Sequence, residues 1–209
     1  PLRSRRPLTW LPLLLLLVSL VIPPFAAPAP IPFTYANPLP AGNELHGVAY
    51  GNGLLVAVGE AGTILTSTDG VNWTRQESGV RYQMVDVAFG NGRFVVASHD
   101  GHYLTSTDGV HWKKSEEHCY CWGLAYGNGL FLSLGGDEKI WASTDGLTWE
   151  LRKEGPLYDI YLAAVYAEDR WVATGDRESM AVSHDGFTWT EVPGGHAYGM
   201  SGVAHGNGR

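Results

Sequence analysis

Four aspartates stand in the same local setting, each two residues after a serine and directly before a glycine. They are Asp69, Asp108, Asp145 and Asp185, and a tryptophan follows each of them by four residues. A carboxylate repeated in this way could serve as a catalytic group or as a metal ligand. Aspartate before glycine is also typical of turns, because the carboxylate accepts backbone N–H bonds and glycine adopts a positive φ. Since a catalytic group is rarely needed in every copy of a repeat, we interpret the aspartates as structural.

The complete motif is S-x-D-G-x-x-W, and its four occurrences are in register. The serine hydroxyl can bond the same turn, and the tryptophan can fold over it. Loss of such a buried indole typically costs about 3–5 kcal/mol, so we expect each motif to act as a structural clip. The motif residues are Ser67, Asp69, Gly70, Trp73, Ser106, Asp108, Gly109, Trp112, Ser143, Asp145, Gly146, Trp149, Ser183, Asp185, Gly186 and Trp189.

Two further groups of residues have metal-binding chemistry. His99, Asp100 and His102 lie in one short segment, where they could bind a metal or simply form a solvated turn. Cys119 and Cys121 offer two ligands, whereas a structural zinc site needs four. A disulfide between residues two apart is geometrically awkward, so we predict two reduced or buried thiols. We expect neither a bound metal nor a cofactor.

The motifs belong to an internal repeat of about 40 residues. The aspartates stand at 69, 108, 145 and 185, so the intervals are 39, 37 and 40 residues. Leu45–Trp73 aligns with Met84–Trp112 without a gap, and further copies run over Cys121–Trp149 and Tyr161–Trp189. A fifth copy begins at Met200. A fixed period of this length indicates a repeat architecture.

Each copy begins with a hairpin signal. In the first copy, an Asn-Gly pair at 52–53 separates the apolar runs Val48–Tyr50 and Leu54–Val58. Asn-Gly between such runs is a strong signal for a two-residue turn, and it recurs at 91–92, 128–129 and 207–208. The fourth copy has Glu-Asp at 168–169 instead, and there we predict a different turn.

Two more strands complete each copy. In the first copy, a third strand is predicted over Thr63–Ser67 and a fourth from near Trp73. No window sustains a 3.6-residue apolar period, which argues against a helical solenoid. Four short strands in about 40 residues match a propeller blade. We therefore predict an all-β fold: a β-propeller of four-stranded blades over residues 43–209, truncated within its fifth blade.

The S-x-D-G-x-x-W motif resembles the Asp-box, or bacterial neuraminidase repeat, of sialidase-type and sortilin-type propellers. Residues 43–209 are most similar to its shorter form in secreted bacterial repeat proteins and in the photosystem II stability/assembly-factor group. The sialidase form, S-x-D-x-G-x-T-W, has a residue between aspartate and glycine that this chain lacks. The resemblance implies a propeller of Asp-box blades, and this departure moves the expectation away from a true sialidase.

The two faces of such a fold have different sequences. Blade geometry places the Asn-Gly and Asp-Gly turns on one face, and the opposite face carries segments that differ between copies. Because scaffold turns repeat and binding loops need not, the second face is the candidate binding face. Its tyrosines could stack on a sugar or peptide, or pack between blades. The candidate residues are Arg81, Tyr82, His99, Asp100, His102, Tyr120, Asp137, Glu138, Tyr158, Asp176, Arg177 and Tyr198.

Charge and motifs limit the class of function. The chain has 14 basic and 21 acidic residues, a net charge of −7. Three arginines lie in the first ten residues, so the remainder carries 11 − 21 = −10, which argues against nucleic-acid binding. We predict a non-catalytic protein- or glycan-binding or assembly module. One alternative is a sialidase-type glycoside hydrolase that uses Arg81 and Arg177 and is completed by blades beyond Arg209. Another is a structural repeat array of a larger surface protein.

The first thirty residues have the order of an export signal. Basic residues at 3–6 precede a 15-residue apolar run, Leu8–Ile22, and then a stretch rich in proline and alanine. The run is shorter than the roughly 20 residues of a membrane-spanning helix. We predict a signal peptide or N-terminal anchor over 1–30 and a linker over 31–42. The protein is then secreted, periplasmic or at the cell surface, and membrane-anchored if the leader is not cleaved.

Overall fold

A computed structural model describes residues 42–116, 120–135, 139–155, 160–177, 179–193 and 199–205. These residues form strands, turns and one short 3-10 segment, Glu60–Gly62, without an α-helix. A search of the same residues for a helix able to cross a bilayer finds none. The predicted leader and all but the last residue of the predicted linker lie outside this part of the chain.

The strands form four antiparallel sheets, which we call blades 1 to 4. Each blade contains four strands that pair in chain order, so the four-stranded organisation predicted from the sequence is confirmed. The strands are β1 Leu45–Gly51, β2 Leu54–Gly59, β3 Ile64–Ser67, β4 Thr74–Gln76, β5 Met84–Gly90, β6 Arg93–Ser98, β7 Tyr103–Ser106, β8 Lys113–Lys114, β9 Cys121–Gly127, β10 Leu130–Gly135, β11 Ile140–Ser143, β12 Glu150–Lys153, β13 Tyr161–Ala167, β14 Arg170–Gly175, β15 Met180–Ser183 and β16 Thr190–Glu191.

The blades stack through their first strands. β1 contacts β5, β5 contacts β9, and β9 contacts β13, so the first strand of each blade is innermost and the fourth is outermost. The apolar clusters lie between blades: Val56 and Ile64 of blade 1 share a buried cluster with Phe94 of blade 2. Burial between neighbouring sheets is thus what holds the blades together. At the start of the fifth copy, the Met200 N–H donates to the Gly175 carbonyl at 2.6 Å.

An aromatic residue on each of β5, β9 and β13 covers a glycine of the preceding blade. A Cβ atom added to these glycines would lie 2.0–2.2 Å from the aromatic side chain, so only glycine fits. Tyr50 is at the equivalent position of blade 1, and 67% of it is exposed. The aromatic residues are Phe89, Tyr126 and Tyr166, and they cover Gly51, Gly90 and Gly127, in that order.

The first hairpin of blade 4 uses the same turn as the others. Asn52 and Gly53 have φ of 50° and 77°, and Glu168 and Asp169 have φ of 49° and 59°. In both hairpins the residues that flank the two-residue turn are paired across the strands. The prediction of a different turn was therefore wrong. The twist of the paired strands requires left-handed residues at both turn positions, and aspartate tolerates that conformation.

Candidate functional site

The S-x-D-G-x-x-W turns form a repeated hydrogen-bond network, shown here for blade 2. The Ser106 Oγ donates to Asp108 Oδ1 at 3.0 Å and accepts the Gly109 N–H at 2.8 Å. Asp108 Oδ1 also accepts the N–H groups of Val110 and His111 at 2.9 and 2.8 Å. The other three turns repeat the serine and aspartate contacts. Both side chains thus satisfy backbone donors of their own turn.

The motif tryptophans close these turns. In blades 1, 2 and 4 the indole N–H donates to the carbonyl of the motif glycine at 3.0–3.2 Å. Trp149 of blade 3 is buried and stacks instead on Tyr103 of blade 2, with ring centroids 4.2 Å apart. This tryptophan contributes to packing between blades.

The same hydrogen bonds determine the protonation of the aspartates. The imidazole and backbone N–H of His111 hold the pKa of Asp108 well below its ordinary value. The N–H groups of Thr188 and Phe187 lower the pKa of Asp185 to about 2. These carboxylates are ionised acceptors with no proton to donate at neutral pH. Their geometry is that of a turn clip.

The Asn-Gly and Asp-Gly turns share one face, which we call the motif face. The Asn91 side-chain amide of blade 2 donates to the Thr144 carbonyl of blade 3 at 2.9 Å. Arg93 Nη1 donates to the Asp145 carbonyl at 3.0 Å. Side chains at the Asn-Gly turn of blade 2 therefore donate to backbone carbonyls at the Asp-Gly turn of blade 3.

The opposite face, which we call the variable face, contains the loops between second and third strands and the links between blades. In blades 1, 2 and 4 the residue after the second strand donates its N–H to the residue just before the first strand. These bonds measure 2.8–3.0 Å and hold each loop against the start of the innermost strand. The donor and acceptor pairs are Glu60 and Glu44, His99 and Gln83, and Asp176 and Ile160.

Two of the predicted tyrosines are open to solvent on this face. Tyr82 lies two residues before β5 and is 51% exposed, and Tyr120 lies directly before β9 and is 75% exposed. The Lys114 ammonium is 5.6 Å from the centre of the Tyr82 ring. Neither ring is buried between blades. The predicted residues Asp137, Glu138, Tyr158 and Tyr198 lie outside the described part of the chain.

The segment His99–His102 does not form a metal-binding set. Asp100 accepts a hydrogen bond from the Ser98 hydroxyl and lies 3.4 Å from the Lys114 ammonium. Burial raises the pKa of Asp100, but these contacts and the His102 N–H outweigh burial and lower it. Asp100 is therefore engaged within its own turn, and the ring of His99 points elsewhere.

His99 faces Trp122, which the sequence analysis did not select. The two rings meet edge to face with centroids 6.2 Å apart, and Trp122 remains 46% exposed. Trp122 is the second residue of β9, where the aligned copies have histidine, valine and leucine. Comparing this position between copies would have revealed it. We call Tyr82, Tyr120 and Trp122 together the aromatic surface.

Three exposed residues at the start of blade 1 could in principle share a cation. One ligand atom each from Glu44, His46 and Glu60 lie within 4.8 Å of one another. Spacing along the chain does not reveal this group, because Glu60 is fourteen positions from His46 and becomes its neighbour only through the hairpin of β1 and β2.

A half-buried carboxylate, Asp86, connects blades 2 and 3. Its two oxygens accept the Val87 N–H at 2.8 Å and, across the blade boundary, the Leu124 N–H at 2.9 Å. Burial raises the pKa of Asp86 above its ordinary value. The contacts assign it to packing between blades.

The remaining predicted residues are dispersed. Arg81 lies in the link between blades 1 and 2, and Arg177 lies in the β14–β15 loop of blade 4 with φ of 46°. Asp176 accepts the Ile160 N–H at 2.9 Å through its side chain. Cys121 is buried, whereas Cys119 lies outside the described residues.

Comparison with solved structures identifies the architecture. YCF48 bound to a D1 peptide matches with a TM-score of 0.58 and 17% identity, over 73% of this chain and 54% of that one. The computationally designed Ika8 protein matches at 0.60 and 16%, over 78% and 53%. The GH74 enzyme of Niastella koreensis matches at 0.56 and 17%, over 74% and 25%.

Sequence comparisons add no relative. No family model matches the chain, and no curated protein matches it. At these identities the structural likeness concerns the fold. The chain forms β-propeller blades and spans about half the length of the YCF48 chain that it matches.

Proposed function

We propose that this chain is a non-catalytic, exported β-propeller module that binds a segment of another protein on its variable face. The observation that carries the proposal is the aromatic surface, whose three large rings are about half to three-quarters exposed. Exposed tyrosine and tryptophan side chains are typical of protein interfaces, because they bury much apolar area at a small cost in conformational entropy.

The position of this surface supports the proposal. It lies among loops that differ between copies, whereas the motif face consists of repeated turns. Tyr82 belongs to the link between blades 1 and 2, and Trp122 belongs to blade 3. A ligand that contacts both residues has to reach from the first link to blade 3, and an extended polypeptide has the shape for this. The YCF48 structure with a D1 peptide supports a peptide as the class of ligand.

The packing of Trp122 also supports binding. The His99 ring packs against the indole edge to face, with centroids 6.2 Å apart, and such a contact favours one orientation of the indole. The His99 backbone is itself fixed by its N–H bond to the Gln83 carbonyl. An anchor that is already ordered loses less side-chain entropy on binding.

Hydrolysis of a glycoside has less support. Arg81 belongs to the link between blades 1 and 2 and Arg177 to the β14–β15 loop of blade 4, so the two arginines belong to different parts of the fold. The GH74 enzyme is similar over only 25% of its own length, which concerns the fold. The exposed rings therefore favour binding over hydrolysis.

The test is selection from a phage library of random twelve-residue peptides. We expect enriched peptides to bind the wild-type chain, and Trp122→Ala to reduce their affinity at least tenfold, the effect of losing a tryptophan anchor worth ≥ ~1.4 kcal/mol. Phe187→Ala is the control, because Phe187 is an aromatic residue of the motif face with a similar exposure of 41%. No enrichment, or equal losses for both variants, would refute the proposal.

A further inference from the structure

Two carboxylates of the variable face form no ion pair with a lysine or an arginine among the described residues. Glu44 and Glu60 are exposed and lie together at the start of blade 1. The ion pairs among the described residues involve neither of them. Arg81 lines a cavity with Arg75, and Ala61 and Gly62 of the loop that begins at Glu60 line the same cavity. Two negative charges are thus left open to solvent on the variable face.

Gln83 connects these carboxylates to the aromatic surface. Its side-chain amide lies within hydrogen-bond distance, 3.1 Å, of His46 Nε2. The Gln83 carbonyl accepts the His99 N–H, and the His99 ring contacts Trp122. A chain of contacts through His46, Gln83 and His99 therefore runs from the two glutamates of blade 1 to Trp122 of blade 3.

The protein's own lysine shows which chemistry this surface accepts. The Lys114 ammonium lies 5.6 Å from the centre of the Tyr82 ring and 3.4 Å from Asp100 Oδ2. A cation is thus held between an aromatic face and a carboxylate, an arrangement in which both groups attract it. Trp122 and the two glutamates, connected through His99 and Gln83, offer the same two kinds of group to a ligand.

We infer that the segment bound by the aromatic surface is basic: a lysine or arginine lies against Glu44 and Glu60 while an apolar residue packs on Trp122. This inference rests on the proposed function and specifies its ligand. Charge complementarity carries it, because the chain beyond its first ten residues has a net charge of −10 and the surface itself presents unpaired carboxylates. An acidic segment would be repelled from the same place.

The experiment uses the library of random twelve-residue peptides and the 209-residue chain. We expect the peptides selected on the wild-type chain to be enriched in lysine and arginine. The double variant Glu44→Gln/Glu60→Gln is expected to bind the best peptide about five- to tenfold more weakly at low salt, the sum for two partly solvated charge pairs. The loss should shrink as salt is raised from about 20 to 300 mM, because the Debye length falls.

A matched control has the same change in net charge. Glu77 and Glu116 are exposed carboxylates that follow the outermost strands β4 and β8. Glu77→Gln/Glu116→Gln should bind the peptide like the wild type. Acetylation of the peptide's lysines should weaken binding to the wild type and abolish the difference between wild type and the Glu44/Glu60 variant.

The outcomes separate this inference from the proposed function. Peptides without a basic bias, or equal affinities for the two double variants, overturn the inference. If those peptides still require Trp122, the proposed function stands. A basic bias with affinity that depends on Glu44 and Glu60 but not on Trp122 supports the charge preference and overturns the aromatic anchor. A library without enrichment overturns both.

Discussion

The substitution Ser106→Ala tests whether the repeated motif is a structural clip. Ser106 is buried, and its hydroxyl accepts the Gly109 N–H at 2.8 Å and donates to Asp108 at 3.0 Å. Alanine removes both contacts and leaves the buried Gly109 N–H without its acceptor. An unsatisfied buried donor costs about 1–3 kcal/mol, so we expect a loss near ~2 kcal/mol in the free energy of unfolding.

Thermal unfolding followed by circular dichroism measures this loss. A change of 1 kcal/mol shifts the Tm of a domain of this size by about 2–4 °C, so Ser106→Ala should lower the Tm by about 4–8 °C. Thr107→Ala is the matched control in the same turn, because Thr107 is exposed and the contacts of the turn do not involve its hydroxyl. Its Tm should change by less than about 2 °C.

Binding provides the second measurement. Ser106 lies on the motif face, so peptides selected on the wild-type chain should bind Ser106→Ala with unchanged affinity at a temperature where it is folded. A Tm equal to that of Thr107→Ala would refute the hydrogen-bond argument. An unchanged Tm together with lost binding would instead show that the motif is part of a functional site.

Three further predictions concern the packing between blades and the response to acid. Gly90→Ala places a Cβ 2.0 Å from the Tyr126 ring and should lower the free energy of unfolding by about 1–3 kcal/mol through overpacking. Gly202→Ala is the control, because a Cβ there has no atom within 4 Å, and its Tm should be unchanged. Equal Tm values for the two variants would contradict the close packing. Asp86→Ala removes the acceptor of two backbone N–H groups and should also lower the free energy of unfolding by about 1–3 kcal/mol. A Tm equal to that of the wild type would show that the carboxylate does not hold the two blades together. The turn lowers the pKa of Asp185 to about 2 in the folded chain, against about 3.9 when unfolded, so its stabilisation is present above about pH 4 and is lost as the pH falls towards 2. Asp185→Asn should therefore show a smaller decrease in Tm between pH 5 and pH 2 than the wild type. Parallel decreases in Tm would contradict this expectation.

Much of the fold could be predicted because each copy carries its own local signals. The apolar runs with Asn-Gly between them locate the first hairpin, and the S-x-D-G-x-x-W spacing locates the third turn. The turn at Glu168 and Asp169 was missed because these residues lack the preference of Asn-Gly for positive φ angles. There the register of the paired strands imposes the conformation, and a local signal does not show this.

The candidate site was predicted less completely than the fold. Variation between loops locates the variable face, and the exposure of Tyr82 and Tyr120 agrees with their selection as binding candidates. Trp122 was missed because it lies within a strand, where an aromatic residue is normally taken for core. The group of Glu44, His46 and Glu60 depends on pairing between β1 and β2, which spacing along the chain does not reveal.

The aromatic residue that covers a glycine of the preceding blade has a consequence for how such a chain can grow. Each repeat carries one half of each of two joints: the aromatic residue on its first strand packs on the blade before it, and the glycine at the end of that strand receives the aromatic residue of the blade after it. A duplicated repeat is therefore compatible with its neighbours on both sides at once, without a new contact having to arise. The joint after blade 4 differs in both halves, with Ala167 in place of the glycine and His205 in place of the phenylalanine or tyrosine. There His205 Nε2 lies 3.3 Å from the carboxylate of Glu168, the residue after Ala167, so a polar contact joins blade 4 to the start of the fifth copy.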